Sequence, residues 1–242
     1  NPKGTSARID GRAQTLELDF RRMLIGSRKR SLSVGGAFAL QELKFEDTTQ
    51  QLFWLASRLQ AHRVLDASRW VLRGGLDLTV GDLRSERYLD QPAFFVSGEG
   101  WFSAWKPLGE YSVRLEIAAQ LGTEDLPDSH KFRLGGVRRN SSIRPSGFIA
   151  DSAILAGAEV VVTPKAWRGY GDLKVFSNMS HGQVQISGDR ESAFVWDGGI
   201  AWQMPLSRQL NSSIRLNFPF VTNGIVDTHD RARFLFDISW RP

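Results

Sequence analysis

Residues 111–121 read Tyr-Ser-Val-Arg-Leu-Glu-Ile-Ala-Ala-Gln-Leu. Tyr111, Val113, Leu115, Ile117, Ala119 and Leu121 alternate with Ser112, Arg114, Glu116 and Gln120. Successive side chains of an extended strand point to opposite sides, so this period of two makes one apolar face and one polar, charged face. The stretch exceeds the usual strand of about five or six residues. It matches the roughly 9–11 residues with which a tilted strand crosses a bilayer.

The same pattern recurs on both sides of it. Leu16, Leu18 and Phe20 alternate with Glu17, Asp19 and Arg21, and Leu72, Gly74, Leu76, Leu78 and Val80 with Arg69, Arg73, Asp77 and Thr79. Ile154, Ala156, Ala158, Val160 and Val162 lie opposite Glu159, and Phe194, Trp196, Ile200, Trp202, Met204 and Leu206 opposite Asp197 and Gln203. Ile214, Leu216, Phe218 and Phe220 face away from Arg215 and Asn217, and Phe234, Phe236, Ile238 and Trp240 away from Asp237 and Ser239. The stretches 21–30 and 54–65 have some helical propensity but no clean helix cap. Gln51–Leu65 is therefore read as a strand with Phe53, Leu55, Leu59 and Ala61 on one side.

Eleven such segments begin near residues 15, 31, 51, 69, 93, 111, 153, 172, 193, 213 and 233. A further strand over Thr5–Asp10 makes about twelve and brings both termini to one rim. Connections following residues 26, 65, 106, 163 and 205 read as the shorter set. Those after residues 44, 82, 121, 180 and 221 read as the longer set, the rim asymmetry of outer-membrane barrels. The fold expected is all-β: a transmembrane antiparallel β-barrel of about 12 strands with a long in-folding extracellular loop, residues 1–242 forming one domain. A soluble sandwich or barrel also alternates. Segment length, aromatics near strand ends (Trp101, Trp105, Trp167, Tyr170, Trp202, Trp240) and charge at mid-strand depth on the opposite face favour lipid outside and a wet lumen inside.

The 242 residues include no cysteine, which excludes disulfides, thiolate metal sites and a Cys nucleophile. His62, His130, His181 and His229 form no H-x-x-x-H pair, and the last three fall in connections on the long-loop rim, so no metal, cofactor or catalytic residue is expected. The net charge is +5, but basic residues are spread along the chain. The one dense run, Arg28–Arg30, reads as a solvated turn, and nucleic acid is not an expected partner.

Residues 131–148, "KFRLGGVRRNSSIRPSGF", lie in the longest connection. Read from residue types alone, this is an external loop whose arginines contact lipopolysaccharide phosphates. "FRLGG", then "SIRPSGF", then the amphipathic strand "AILAGAEVVV" also resemble the C-terminal region of the BamA/TamA-type outer-membrane assembly superfamily, which includes surface antigens and the transporters of two-partner secretion. The resemblance covers roughly residues 125–242. It implies a loop that folds back into the barrel, with Gly135 and Gly136 matching the family's glycine pair. Ile143, Arg144, Gly147 and Phe148 match its Val-Arg-Gly-aromatic tip. It further implies lumen partners for that tip at Glu159, Phe176 and Asn178, although Asn178 stands where the family has Asp, Ser180 where it has Gly, and Pro145-Ser146 interrupts the tip.

The function expected from the resemblance is insertion or transport of polypeptides or lipids at the bacterial outer membrane, by a short, barrel-only member without a periplasmic domain. A weak seam at the last strand (Phe234, Phe236, Ile238, Trp240) would be its working element. A passive pore or structural barrel is the alternative, and an outer-membrane lipase a further one, although no Ser and Asn accompany His62 at triad spacing. Expected partners are outer-membrane lipids including lipopolysaccharide, a polypeptide client and a second copy of the chain.

Overall fold

The computed structural model describes residues 11–45, 48–65, 68–85, 93–124, 126–135, 142, 148–163, 170–186, 189–207, 209–224 and 232–240. Each alternating segment is a strand: β1 (Gly11–Gly26), β2 (Arg30–Phe45), β3 (Thr48–Leu65), β4 (Trp70–Ser85), β5 (Ala93–Leu108) and β6 (Tyr111–Gly122). After a short pair, β7 (Phe132–Leu134) and β8 (Phe148–Ala150), come β9 (Ser152–Val162), β10 (Asp172–Ile186), β11 (Asp189–Pro205), β12 (Leu210–Gly224) and β13 (Arg233–Trp240). Eleven of them form one antiparallel sheet in chain order, β1 through β6 then β9 through β13, and β7 pairs with β8 apart from it.

Among the described residues β1 and β13 are the two edges of this sheet, so the observed count is eleven, short of about twelve. The strand expected over Thr5–Asp10 lies outside the described residues. The stretches 21–30 and 54–65 are strands apart from the turn after Gly26, because neighbours supply their backbone partners: Leu59 pairs with Val34 on one side and Leu76 on the other.

Cross-strand partners share a face, which lets the outer surface be read as rows. One runs Leu18, Phe38, Leu55, Val80, Val96. These side chains point away from the interior, and Leu18 is 62% and Leu121 75% exposed. Along β2 the outward positions are apolar or glycine from Leu32 to Leu40 and charged at Arg30 and Glu42. That stripe is about 27 Å long at ~3.4 Å per residue. Tilted by ~40° it rises about 21 Å, close to the ~25 Å apolar band of a membrane barrel.

The sheet is strongly curved. Phe132 and Arg133 share an interior cavity with Glu17 of β1 and Ala37 of β2, while Phe132 and Leu134 also belong to a cluster that contains Ala193 of β11. In a flat sheet β1 and β11 would stand on the order of 40 Å apart at ~4.8 Å per strand. Three consecutive residues reach both sides only if the sheet wraps around them.

Three sequence expectations need correction. β2 ends at Phe45 with β3 starting at Thr48, and β10 ends at Ile186 with β11 starting at Asp189, so two connections expected to be long are tight. Alternation continues through Gln183 and Val184, and Ser187-Gly188 suits a two-residue hairpin loop. In consequence His181 is not a loop residue: it sits within β10, exposed on the outer face opposite Ile154 and Phe194. Arg69, expected on the polar face of a strand, lies in the turn before β4 with φ of 56°.

The inner face is not uniformly polar. Leu134, wholly buried, packs in the cluster with Ala118, Leu155 and Val184. Leu134→Ala should therefore cost about 2–5 kcal/mol, read by denaturant titration, and should speed proteolysis within residues 123–151. An unchanged midpoint would show that the hairpin adds nothing to the fold.

Candidate functional site

The connection between β6 and β9 returns into the concave face, and its course follows from specific partners. Leu126 enters first, buried with Leu52 and Phe95, and its N–H donates to Asp151 Oδ1 at 3.2 Å. Gln120 Nε2 donates to the carbonyls of His130 at 2.8 Å and Asp151 at 3.3 Å, tying the start and end of the connection to one inward side chain. Lys131 Nζ lies 3.7 Å from Asp151 Oδ1 and 3.5 Å from Asp128 Oδ1. The His130 ring meets Trp54 edge-on at 5.0 Å and Phe95 at 4.9 Å between centroids. Burial among these groups lowers its pKa from the usual 6.5.

The β7–β8 hairpin then lays Phe132, Leu134, Phe148 and Ala150 on Ala118, Ala153, Leu155, Val184 and Ala193, with Trp101 alongside. Gly182 makes the seat: a Cβ there would stand 2.6 Å from the Phe148 ring. Gly135 leaves β7 with φ of 99°, a left-handed backbone that favours glycine. Beyond it, the described residue nearest the loop tip is Ser142, 1% exposed. Its N–H donates to Asp197 Oδ2 at 2.9 Å and its hydroxyl donates to the same oxygen at 2.8 Å. Asn178 Nδ2 donates to the other oxygen at 3.4 Å. A carboxylate with no solvent exposure is tolerable only when hydrogen-bonded in this way, and bonds to an ionised acceptor are the stronger kind.

The wall around this clamp is a grid set by register. Glu159, Phe176, Gly199 and Asn217 form one row, and Gly157, Asn178 and Asp197 the next. The Arg215 guanidinium lies over the Phe176 ring, 4.8 Å from its centroid, within electrostatic range of Glu159 and Asp197. Lys174 Nζ stands 3.7 Å from Glu159 Oε1. Glu159, Phe176 and Asn178 thus all face inward in one cluster. Of the tip, Gly135 and Phe148 are as described above, whereas Gly136, Ile143, Arg144 and Gly147 lie outside the described residues. Phe234, Phe236, Ile238 and Trp240 are exposed on the outer face of the edge strand β13.

The acid that holds the connection is Asp197, which the sequence reading placed in the lumen without assigning it to the loop. Its signal was an aspartate on the inward side of a strand otherwise lined there by Ala193 and Val195. Beside the hairpin remains a cavity of about 360 Å³, into which Glu17, Arg58, Asp77, Glu99 and Arg133 project. Arg58 Nε is 3.2 Å from Asp77 and its Nη1 3.4 Å from Asp19, linking β1, β3 and β4. Among the described residues no three His, Cys, Asp or Glu side chains are grouped to hold a metal ion.

Asp197→Ala leaves two buried Ser142 donors without an acceptor, a loss of about 1–3 kcal/mol per group. Loop proteolysis should accelerate with the strands still protected in hydrogen exchange; unchanged loop cleavage would show that the clamp does not hold the segment. His130 has a separate pH signature. Its folded pKa lies below its unfolded one, so the stabilising contribution is full above about 6.5 and is lost as pH falls through and below that value. Loop cleavage should rise over that window in the parent and not in His130→Phe; equal profiles would exclude His130 as the cause.

No protein-family model matches the chain, and no curated protein matches its sequence. Among the solved structures that share its fold are two CdiB proteins. CdiB from Escherichia coli superposes with a TM-score of 0.72 at 12% identity, over 95% of this chain and 45% of that one. CdiB from Acinetobacter baumannii superposes with a TM-score of 0.65 at 15% identity, over 95% and 42%. The chain spans less than half the length of either, and at these identities the likeness is one of fold.

Proposed function

We propose that this chain forms the outer-membrane barrel of a polypeptide translocator, nearest in kind to the two-partner secretion branch of the BamA/TamA-type superfamily. The observation that carries the reading is the connection 123–151 folded into the concave face, with Ser142 held on the buried carboxylate of Asp197. A passive pore has no need of a jointed plug. The shared fold with the two CdiB structures and the apolar outer stripe support it.

Membrane residence accounts for the outer face, where exposed leucine, isoleucine and phenylalanine run strand after strand. It also demands closure, since backbone groups in hydrocarbon must be satisfied internally. The edges β1 and β13 then meet each other, or the strand expected from the sequence over Thr5–Asp10, or an incoming polypeptide. With Phe234, Phe236, Ile238 and Trp240 in lipid, β13 offers an edge that can pair with a substrate strand.

In the resting state the hairpin fills the side of the lumen lined by β5, β6 and β9–β11, beside the cavity of about 360 Å³. Transport requires the hairpin to shift. The reading gives the chain no catalytic step. The tip motif at Arg144 and a lumen partner for it at Glu159 belong to this proposal.

Planar-bilayer recording tests it. The parent protein should be mostly closed, and Asp197→Ala should open it more often, with an unfolded polypeptide added to one side causing transient current blocks. Equal currents in parent and variant, or an open pore that no polypeptide blocks, would overturn the translocator reading. Acceleration of the folding of an unfolded outer-membrane protein into liposomes would move the assignment to assembly. Ile117→Lys, at mid-strand on the outer face, should lower stability in vesicles by about 2–4 kcal/mol; a neutral result would place that face in water.

A further inference from the structure

The turn between β1 and β2 and the end of β3 form an outward groove of about 490 Å³ lined by Ser27, Arg28, Lys29, Arg30, Arg63 and Val64. Its backbone is pinned. Ser27 N–H donates to the Arg30 carbonyl at 2.9 Å, Arg30 N–H donates to Ser27 Oγ at 3.1 Å, and Val64 N–H donates to the Lys29 carbonyl at 2.7 Å. Arg30 and Arg63 are direct cross-strand partners. Like charges in that position destabilise a sheet, and here Arg28 and Lys29 join them, with no acidic residue among the described residues that line the groove.

We propose that this groove binds the phosphate groups of anionic phospholipids in the leaflet that meets the short-turn rim. The inference rests on the membrane reading above and extends it to a lipid partner. Depth supports it: on β2 and β3 the outward rows before it are Val34 with Leu59 and Leu32 with Ala61, with Arg22 of β1 opposite Val34, and the arginine row comes next, about 7 Å further along the strands. That is where the apolar band ends and headgroups begin. Trp70, Tyr111, Tyr170 and Trp202 occupy the same rim, and Lys106 Nζ sits 5.5 Å from the Trp70 ring centroid. Aromatic side chains mark the interface. On the opposite rim three cations have acidic partners on the protein: Lys44 with Glu42 at 2.7 Å, Arg84 with Asp82 at 3.0 Å and Arg190 with Glu124 at 2.9 Å. Only the short-turn side gathers described cations in a pinned groove with no acid lining it. Guanidinium groups suit phosphate because their donors match its oxygens two at a time.

The test titrates phosphatidylglycerol into the detergent-solubilised full chain and reads bound lipid by native mass spectrometry, with phosphatidylcholine as reference. Phosphatidylglycerol should be retained preferentially. Its apparent Kd should rise about fivefold for each arginine removed in Arg30→Gln and Arg63→Gln, and should not change in Arg190→Gln on the other rim. Equal retention of the two lipids, or an unaltered preference in the double variant, would overturn the proposal. So would displacement of the lipid by equimolar inorganic phosphate, which would make this a site for free anions. Co-flotation with phosphatidylcholine vesicles separates the two levels of inference: a chain that does not enter vesicles at all defeats the membrane reading, whereas one that enters but shows no lipid preference defeats only the groove.

Discussion

Phe132, Leu134, Phe148 and Ala150 lie against small and aliphatic side chains of β6, β9, β10 and β11, and the character of the inner surface depends on this contact. A curved sheet whose outer face is apolar can bury little on its own, because its concave side has no second sheet to meet. The chain solves this by turning its longest connection inward. Where the hairpin lies, the inner face carries Ala118, Leu155, Val184 and Ala193. Elsewhere it carries ion-paired residues such as Arg58 with Asp77 and Lys174 with Glu159. One interior thus has two regimes, dry packing under the hairpin and polar wall outside it.

The boundary between those regimes is Asp197. Burying a carboxylate is costly, and its two oxygens are satisfied from opposite directions, by Ser142 of the connection and by Asn178 of the neighbouring strand. Such a joint stabilises the docked segment. Gly157 and Gly182 serve the same arrangement by leaving room, the first for the Asn178 side chain and the second for Phe148.

The two rims differ in how they balance charge. On the long-connection side Lys44, Arg84 and Arg190 pair with acids of the protein, and on the other side arginines collect around one tight turn.

Strand direction and most face assignments were legible in the sequence because alternation is a local property: Leu115 and Glu116 must point opposite ways wherever the strand sits. All eleven alternating segments correspond to strands of the sheet, including the stretch 51–65 with its mixed faces. Turn positions were less legible, since polar residues such as His181 and Gln183 occur both in loops and on exposed strand ends. The inward course of the longest connection was implied by the family resemblance of residues 131–148, and Ile154-Leu155-Ala156 carries a second trace of it, Leu155 being apolar on the inner face because the hairpin lies on it. That Asp197 holds the connection through Ser142, and that Arg30 and Arg63 stand side by side, could be decided only by tertiary structure. These pairs are far apart in the chain, and a one-residue change of register would have sent each side chain to the opposite face.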